Sequence, residues 1–274
     1  MLLDLIKTIL IGVVQGVTEW LPVSSTGHMI LLDELIQLNV SDNFMEMFRV
    51  VIQLGSILAV LVLYFNKLNP FALRKTAVEK KDTWQLWFKV VVAVIPSAVL
   101  GLLLDDWFDE HFYNEFVVAL MLVLYGIVFL FLDKREKRTG MIVSTQGISY
   151  KTAFLVGCFQ VLSLIPGTSR SGSTIIGALL LGLSRPVAAE FSFFMAIPTM
   201  AGASGLKLLK FILEGASISG GEIVILITGC TVAFVVSLAA VRALMDYVRR
   251  HTFRVFGVYR MILGAVVLLV EFLD

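Results

Sequence analysis

A single arginine stands among small hydroxyl residues in the otherwise apolar stretch 161–183. This residue is Arg170, in the run Pro-Gly-Thr-Ser-Arg-Ser-Gly-Ser-Thr at 166–174. An arginine at membrane depth costs about 2.5–3.5 kcal/mol on insertion scales, which disfavours a merely snorkelling side chain. Glycine and small residues before a helix expose backbone N–H groups that attract anions, and a guanidinium adds a planar donor fork suited to phosphate. The segment therefore predicts an oxyanion pocket, followed by a helix that starts near Ser173.

A carboxylate, a hydroxyl and an imidazole gather in a second apolar stretch, QGVTEWLPVSSTGHM at 15–29. Gln15 and Glu19 are four residues apart and so share one face of a helix. Ser25 and His28 are three apart, close enough to touch if that segment is helical. Ionisable residues in apolar segments indicate functional sites. We therefore expect this cluster to act together with the arginine pocket.

The elements that must position these residues are membrane helices. Apolar residues make up 58% of the 274 residues and charged residues only 16%, far from the usual composition of a soluble domain. An all-α integral membrane protein is predicted, its cysteines are expected as free thiols, and no nucleic-acid partner is expected. Six apolar runs are long enough to cross a hydrocarbon core of about 30 Å: 47–65, 86–104, 116–132, 188–212, 222–244 and 255–273.

Two further apolar stretches, 3–37 and 151–184, are each interrupted near the middle by one of the polar runs. Each half is short for a full crossing, which predicts a re-entrant hairpin that enters, turns and returns. Non-helical backbone at membrane depth survives only when protein or a water-filled cavity surrounds it. Both turns should therefore face the interior of the bundle.

The two halves of the chain resemble each other. Pro22-Val-Ser-Ser25 matches Pro166-Gly-Thr-Ser169, and Glu46 matches Glu190 at the same offset of 144. We predict a single transmembrane domain, 1–274, with internal repeats of about 1–140 and 141–274. Each repeat is a broken re-entrant hairpin followed by three spanning helices, and because three is odd, the second repeat must be inverted. Such folds commonly place a site where the two breaks meet.

The loop charges predict the orientation. The connections 105–115 and 214–221 contain no lysine or arginine. Under the positive-inside rule the basic loops are cytoplasmic, which leaves both termini outside. The basic residues are Lys67, Arg74, Lys75, Lys80 and Lys81 after the first span, Lys134, Arg135, Lys137 and Arg138 after the third, and Arg249, Arg250 and Arg254 between the last two.

Three motifs resemble, in the same order, the signatures of the BacA-type undecaprenyl-pyrophosphate phosphatases of bacterial inner membranes. They are Gln15-Gly-Val-Thr-Glu19, Pro22-Val-Ser-Ser-Thr-Gly-His28 and Pro166-Gly-Thr-Ser-Arg-Ser-Gly-Ser-Thr174. The resemblance implies removal of the terminal phosphate from undecaprenyl pyrophosphate, a divalent cation such as Mg²⁺ or Ca²⁺, and an active site open to the outer face. It also implies a role in recycling the lipid carrier of wall synthesis, a link to bacitracin sensitivity, and a homodimer as a family-level expectation.

The residues can be given roles under this resemblance. Arg170 and the backbone N–H groups from Ser169 to Ser173 hold the pyrophosphate, and Glu19, helped by Gln15, holds the cation. The nucleophile is Ser25 activated by His28, or His28 itself, or a metal-bound water, and we favour the first. The predicted catalytic residues are Glu19, Ser25, His28 and Arg170, and the predicted substrate-binding residues are Ser24, Thr26, Gly167, Thr168, Ser169, Ser171, Ser173 and Thr174.

A secondary transporter or flippase for a phosphorylated lipid is the alternative from another class. Inverted repeats and broken helices are features of transporters, and an arginine-lined oxyanion pocket suits a lipid phosphate in either case. A carrier has no evident need for the adjoining serine and histidine, so the phosphatase is preferred.

Overall fold

The computed structural model describes residues 2–112, 114–132 and 141–273. Over these residues the chain forms helices joined by short connections, with no β-structure beyond one isolated bridge between Ile142 and Leu183. The helices are α1 (Leu2–Thr18), α2 (Ser25–Leu35), α3 (Asp42–Val51), α4 (Gln53–Leu63), α5 (Phe65–Leu68), α6 (Ala77–Phe112), α7 (Glu115–Leu132), α8 (Tyr150–Val161), α9 (Arg170–Leu180), α10 (Arg185–Leu213), α11 (Gly220–Arg250) and α12 (Arg254–Leu273).

Six helical segments of the described chain are long and apolar enough to cross a membrane, which confirms the prediction of six spans. The first joins α3 and α4 through Ile52, and the others belong to α6, α7, α10, α11 and α12. Both cysteines, Cys158 and Cys230, are free thiols as expected. The segments are Asp42–Leu63, Ala77–Leu104, Glu115–Leu132, Arg185–Leu213, Gly220–Arg250 and Arg254–Phe272.

The connection expected at 105–115 is largely helical instead. Helix α6 continues to Phe112, because this acidic and aromatic stretch contains neither proline nor glycine. Aromatic contacts one turn apart also support it, with the rings of Trp107 and His111 stacked at 4.8 Å between centroids. The four basic residues expected after the third span, within 133–140, lie outside the described residues.

Both interruptions predicted in the apolar stretches are present. The first separates α1 from α2, and the second separates α8 from α9 and contains a short 3₁₀ turn, Leu162–Leu164. The predicted start of the second helix near Ser173 was wrong, since α9 begins at Arg170. The reason is a capping bond: the Ser169 side chain accepts from the backbone N–H of Gly172 at 3.2 Å and so starts the helix three residues earlier.

The helices that flank the breaks pack in two reciprocal pairs. Helix α1 of the first half lies along α11 of the second, and α8 of the second half lies along α6 of the first. Helices α7 and α12 form a third close pair. Glycine permits the tightest approach, because a Cβ at Gly157 in α8 would lie 1.9 Å from the carbonyl oxygen of Ala93 in α6. The pairing brings the two breaks to the middle of the bundle.

Candidate active site

Residues from both breaks line one cavity of about 210 Å³. Its walls are completed by the α3–α4 junction, where Gln53 begins α4, and by Thr199 and Met200 of α10. The sequence therefore predicted correctly that the two breaks, far apart in the chain, converge. The predicted site residues that line the cavity are Glu19, Ser25, Thr26, Gly167, Ser169 and Arg170.

Arg170 and Glu19 join the two breaks directly. Arg170 Nη2 donates to Glu19 Oε1 at 3.1 Å, and the two side chains are only 11% and 7% exposed. Arg170 Nη1 donates to the carbonyl oxygen of Ser192 at 3.0 Å, and the guanidinium carbon lies 5.7 Å from the centroid of the Trp20 ring. The Nε–H group of Arg170 is buried and has no hydrogen-bond partner among the described residues. The guanidinium is thus held in place while it keeps donors for an anion.

Gln15 lies behind Glu19. Its Nε2 donates to Glu19 Oε2 at 3.0 Å, and the residue is 2% exposed and does not line the cavity. The carboxylate is therefore oriented from both sides, by the amide through one oxygen and by Arg170 through the other. The four-residue spacing predicted this shared face, but the structure turns the amide nitrogen toward Glu19, which differs from the expectation of Gln15 as a metal ligand.

The small hydroxyl residues after Arg170, which were predicted to bind the substrate, make hydrogen bonds within the fold and do not line this cavity. Ser171 Oγ donates to the carbonyl oxygen of Leu21 at 3.2 Å, which ties the second break to the first. Ser173 and Thr174 donate to the carbonyl oxygen of Arg170 at 3.1 and 2.9 Å. All three are buried because α9 is enclosed on all sides from Ser171 to Ala178. Thr168 is also buried and outside the cavity lining.

His28 lies in a different place from the one expected. Its Nδ1 is 2.7 Å from the carbonyl oxygen of Ser24 and its Nε2 is 2.6 Å from the hydroxyl of Tyr259, so both ring nitrogens are engaged away from Ser25. The ring also stacks on Tyr259, with 5.6 Å between centroids. His28 lines a second, largely apolar cavity instead of the one that contains Arg170. The expected contact between Ser25 and His28 is absent although both residues lie in the first turn of α2, since the ring turns back toward the break.

Two residues of α12 that contact the site were missed by the sequence interpretation. Tyr259 holds His28, and the next residue, Arg260, is fully buried and donates to backbone carbonyl oxygens of both breaks. The signal was present in the sequence. An arginine inside the predicted span 255–273 carries the same free-energy cost of insertion into the membrane as Arg170. It therefore also indicated a polar environment within the bundle.

The cavity's donor atoms suit a hard divalent cation. No group of three or more His, Cys, Asp or Glu side chains forms a metal cluster in the part of the chain that the structure describes. The cavity does offer the Glu19 carboxylate, the Gln53 amide and several hydroxyl groups. Mg²⁺ takes oxygen ligands and is commonly held by one or two carboxylates together with substrate phosphates and water. This donor set fits such an ion.

Comparison with known proteins supports the same family as the motifs. A family model described as Bacitracin resistance protein BacA matches residues 8–266. The chain belongs to the BacA family. Relatives named undecaprenyl-diphosphatase include one from Enterococcus faecalis, 56% identical over 97% of this chain and 96% of that protein, and one from Streptococcus thermophilus, 54% identical over 97% and 93%. A third, from Streptococcus pyogenes serotype M3, is 52% identical over 99% and 98%. All three motifs of this BacA-family chain fall within the matched residues.

Proposed function

We propose that this chain is an undecaprenyl-diphosphatase, which hydrolyses undecaprenyl pyrophosphate to undecaprenyl phosphate and inorganic phosphate. The observation that carries the proposal is the buried ion pair of Arg170 and Glu19 in a cavity lined by both breaks. Relatives of this name match nearly the whole chain. The reaction recycles the lipid carrier of cell-wall synthesis, and its loss is expected to increase sensitivity to bacitracin.

The pyrophosphate headgroup would lie at the N-terminus of α9, against the side chain of Arg170, the first residue of that helix. Arg170 has buried donors that no protein group uses within the described residues, and guanidinium forks match phosphate oxygens. Gly167 and Ser169 line the cavity beside it, at the N-terminus of a helix whose dipole favours negative charge. Phosphoryl transfer depends mainly on positioning and on neutralising charge, and this arrangement supplies both.

Ser25 is the proposed nucleophile. Ser25 lines the same cavity as Glu19 and Arg170, whereas His28 lines the other cavity and both its ring nitrogens are engaged. Attack by the Ser25 hydroxyl on the terminal phosphorus breaks the bond to the bridging oxygen, which leaves on the lipid monophosphate and takes up the hydroxyl proton. Water then attacks the phosphorus of the phosphoserine and breaks its bond to Ser25 Oγ. This step releases inorganic phosphate and returns one proton to Oγ. Direct attack by a water in the cavity is the alternative, and attack by His28 is disfavoured because its ring must first leave Tyr259.

A divalent cation, Mg²⁺ or Ca²⁺, would be held by Glu19 together with the substrate phosphates. When bound it would supply positive charge to the phosphate oxygens. Gln15 donates a hydrogen bond that orients the Glu19 carboxylate, and Gln53 offers a further oxygen in the lining of the cavity.

We also propose that the two halves are inverted repeats with re-entrant hairpins. Ser24 and Ser169 support this: each is a non-glycine residue with positive φ, 72° and 70°, and each caps the helix that follows its break. They are 145 residues apart, so Ser24 and not Ser25 is the structural counterpart of Ser169, and the sequence match was out by one residue. Ser25 and Arg170 then occupy equivalent positions, as the first residue of each helix.

Two ion pairs support the same relationship. Glu46 of the first half pairs with Lys207 of the second, and Glu190 of the second half pairs with Lys67 of the first at 2.8 Å. The two glutamates are 144 residues apart in the sequence and the two lysines are 140 apart, so the lysines match with a shift of four residues. A two-fold axis in the plane of the membrane would exchange these pairs and would place one near each face. The loop charges predict that both termini lie outside. In keeping with the family resemblance, we propose that the site opens to the outer face of the bacterial cytoplasmic membrane.

The prenyl chain has a suitable place beside the headgroup site. A second cavity of about 390 Å³ lies between α1, the first break and α12. It opens toward the lipid-facing surface, where Val13 and Val255 are 37% and 51% exposed. His28 and Tyr259 provide its polar edge. The apolar residues of its lining are Val13, Val14, Val17, Leu21, Val23, Val255 and Phe256.

Phosphate release from undecaprenyl pyrophosphate in detergent micelles tests the proposal against a flippase. A micelle has no second compartment, so turnover there cannot be transport. We expect release of phosphate that EDTA abolishes and added Mg²⁺ or Ca²⁺ restores. A folded protein that releases no phosphate under any of these conditions would contradict the phosphatase, and headgroup translocation in vesicles by that same protein would support the flippase.

Light scattering of the active protein tests the expected homodimer, although every proposed site residue belongs to one chain.

A further inference from the structure

Arg260 is a buried guanidinium with an unusual set of partners. The residue is 0% exposed in the middle of α12, and it makes no ion pair within the described residues. The centre of the Tyr125 ring lies 5.4 Å from its guanidinium carbon. All its hydrogen bonds go to backbone carbonyl oxygens: Leu122 at 3.4 Å from Nε, Pro22 at 3.3 Å from Nη1, and Met121, Gly167 and Thr168 at 3.4, 2.8 and 3.1 Å from Nη2.

These acceptors belong to the two breaks and to α7. Pro22 lies in the first break, and Gly167 and Thr168 lie in the second. Backbone carbonyl groups in a break have lost the helical partner that they would otherwise have, and an unsatisfied carbonyl at membrane depth costs several kcal/mol, on the order of a lost hydrogen bond or more. Arg260 satisfies carbonyls of both breaks at once. It can do so because a guanidinium presents five donors in a rigid plane.

The position of Arg260 bears directly on the distance between Glu19 and Arg170. Glu19 lies three residues before Pro22, and Arg170 lies two residues after Thr168. Gly167, whose carbonyl takes the shortest of the Arg260 bonds, itself lines the cavity. A side chain that fixes both backbone segments therefore fixes the two charged groups relative to each other.

We propose that Arg260 is a positioning residue that holds the two breaks in the register required for the Arg170–Glu19 pair. It does not line the cavity and is not proposed to touch the substrate. The competing explanation is that Arg260 only stabilises the packing of α7 against α12, in which case the distance between the breaks does not depend on it.

Arg260→Lys is the informative variant. Lysine keeps the positive charge, but its three donors radiate from one nitrogen and cannot bridge the same carbonyls. Displacement of reacting groups by about 1 Å can lower a rate about 100-fold. We therefore expect kcat for undecaprenyl pyrophosphate to fall about 10- to 100-fold with KM changed less than about threefold, because the headgroup still binds but is misplaced. Arg254→Lys, at the exposed start of the same helix, is the matched control and should keep wild-type kinetics.

A distance measurement provides a readout that does not depend on activity. Spin labels are attached to cysteines introduced as Leu35→Cys and Leu162→Cys, and both positions are exposed. Leu35 reports on the helix after the first break, and Leu162 reports on the start of the second break. Cys158 and Cys230 are first replaced by serine. We expect one narrow distance distribution in the otherwise wild-type chain and a broader or shifted one with Arg260→Lys. The kinetic measurement rests on the proposed function, whereas the distance measurement does not. Failure of the proposed function can therefore be distinguished from failure of the inference about Arg260.

An unchanged distance distribution in Arg260→Lys overturns the inference, whatever the activity. If Arg260→Lys is not monodisperse, the same distance is measured instead in Arg260→Ala purified with guanidinium chloride. Recovery of monodisperse protein with the wild-type distance in guanidinium, but not in equal sodium chloride, supports the inference. Failure of guanidinium to restore that distance overturns it.

Discussion

Arg170 and Glu19 stand 151 positions apart in the chain, yet Arg170 Nη2 and Glu19 Oε1 lie 3.1 Å apart in a buried ion pair. Each comes from the break in an apolar helical stretch, and each lines the same cavity. The pair balances charge within the membrane-embedded bundle before any substrate binds. Entry of a pyrophosphate adds negative charge, and the Nε–H group of Arg170, which has no partner among the described residues, can donate to a phosphate oxygen.

We predict that Arg170 and Glu19 act as one unit. Arg170→Gln removes phosphate donors and leaves a buried carboxylate unpaired, and Glu19→Gln releases the guanidinium from its position. Each single change should lower kcat/KM by at least about 100-fold, the effect of losing one preorganised charge-stabilising group. The double variant should lose far less than the product of the two single losses, because neither partner functions without the other.

Steady-state phosphate release by the three variants in detergent measures this coupling. Arg254→Gln serves as the control for loss of an arginine on the outside of the bundle. Losses that multiply would mean that the two side chains contribute independently, in contradiction to the geometry.

A substitution at Gln15 distinguishes between two roles for this residue, orienting Glu19 and binding the metal ion. Its Nε2 faces Glu19 at 3.0 Å, so Gln15→Met should loosen the carboxylate and lower kcat about tenfold, as expected for loss of one buried orienting hydrogen bond. The concentration of Mg²⁺ that gives half-maximal activity should change little. A large rise in that concentration would instead support the interpretation of Gln15 as a metal ligand.

The spans and the breaks could be predicted because they depend on local composition. Hydropathy identifies six crossings, and a polar Pro/Gly/Ser run inside an apolar stretch cannot stay buried without partners, which is why 22–28 and 166–174 were expected to converge. Under the proposed repeat, the match of the halves shifts by one residue at the breaks. The Pro-x-x-Ser pattern repeats at an offset of 144, whereas the capping serines Ser24 and Ser169 are 145 residues apart.

Side-chain directions around the breaks could not be predicted in the same way. The spacing of Ser25 and His28 is compatible with contact in a helix, but the first turn of α2 follows a strained residue, and the imidazole turns back to Ser24 and across to Tyr259. Such partners come from helices remote in the sequence. Arg260 differs from His28 in one respect. Its charge lies inside a predicted spanning segment, so the sequence alone indicated that it needs partners.

The two capping serines provide a test of stability. Ser24 has φ 72° and its side chain accepts from the backbone N–H of Gly27 at 3.3 Å. Ser24→Ala removes the cap and keeps the strain, so it should lower the free energy of unfolding by about 1–2 kcal/mol, whereas Ser24→Gly should lose only a few tenths, roughly 0.5 kcal/mol at most. Unfolding in detergent measures both. Ser169 should show the same order, and equal effects of alanine and glycine at either position would contradict the role given to its positive φ.

His28 substitutions distinguish positioning from chemistry. In His28→Asn the amide nitrogen can replace Nδ1 and keep the bond to the carbonyl oxygen of Ser24, whereas His28→Gln places its amide nearer to Nε2 and Tyr259. If His28 fixes the turn that presents Ser25, the asparagine variant should retain at least about tenfold more kcat than the glutamine and alanine variants, in line with one buried hydrogen bond. Phosphate release measures all three. Uniform loss of activity in well-folded variants would restore His28 as a base or nucleophile.

Filling the apolar cavity should discriminate between substrates by chain length. Val17 lines this cavity and does not line the one that contains Arg170, so Val17→Phe should obstruct a long prenyl chain and leave a short one room. Each methylene excluded from an apolar site forfeits about 0.8 kcal/mol. We expect kcat/KM for undecaprenyl pyrophosphate to fall at least about tenfold, the equivalent of roughly two methylenes, while that for farnesyl pyrophosphate changes less than twofold. Leu10→Phe, on the exposed face of the same helix, should affect neither substrate. An equal loss with both substrates would place the effect at the headgroup and remove the prenyl chain from this cavity.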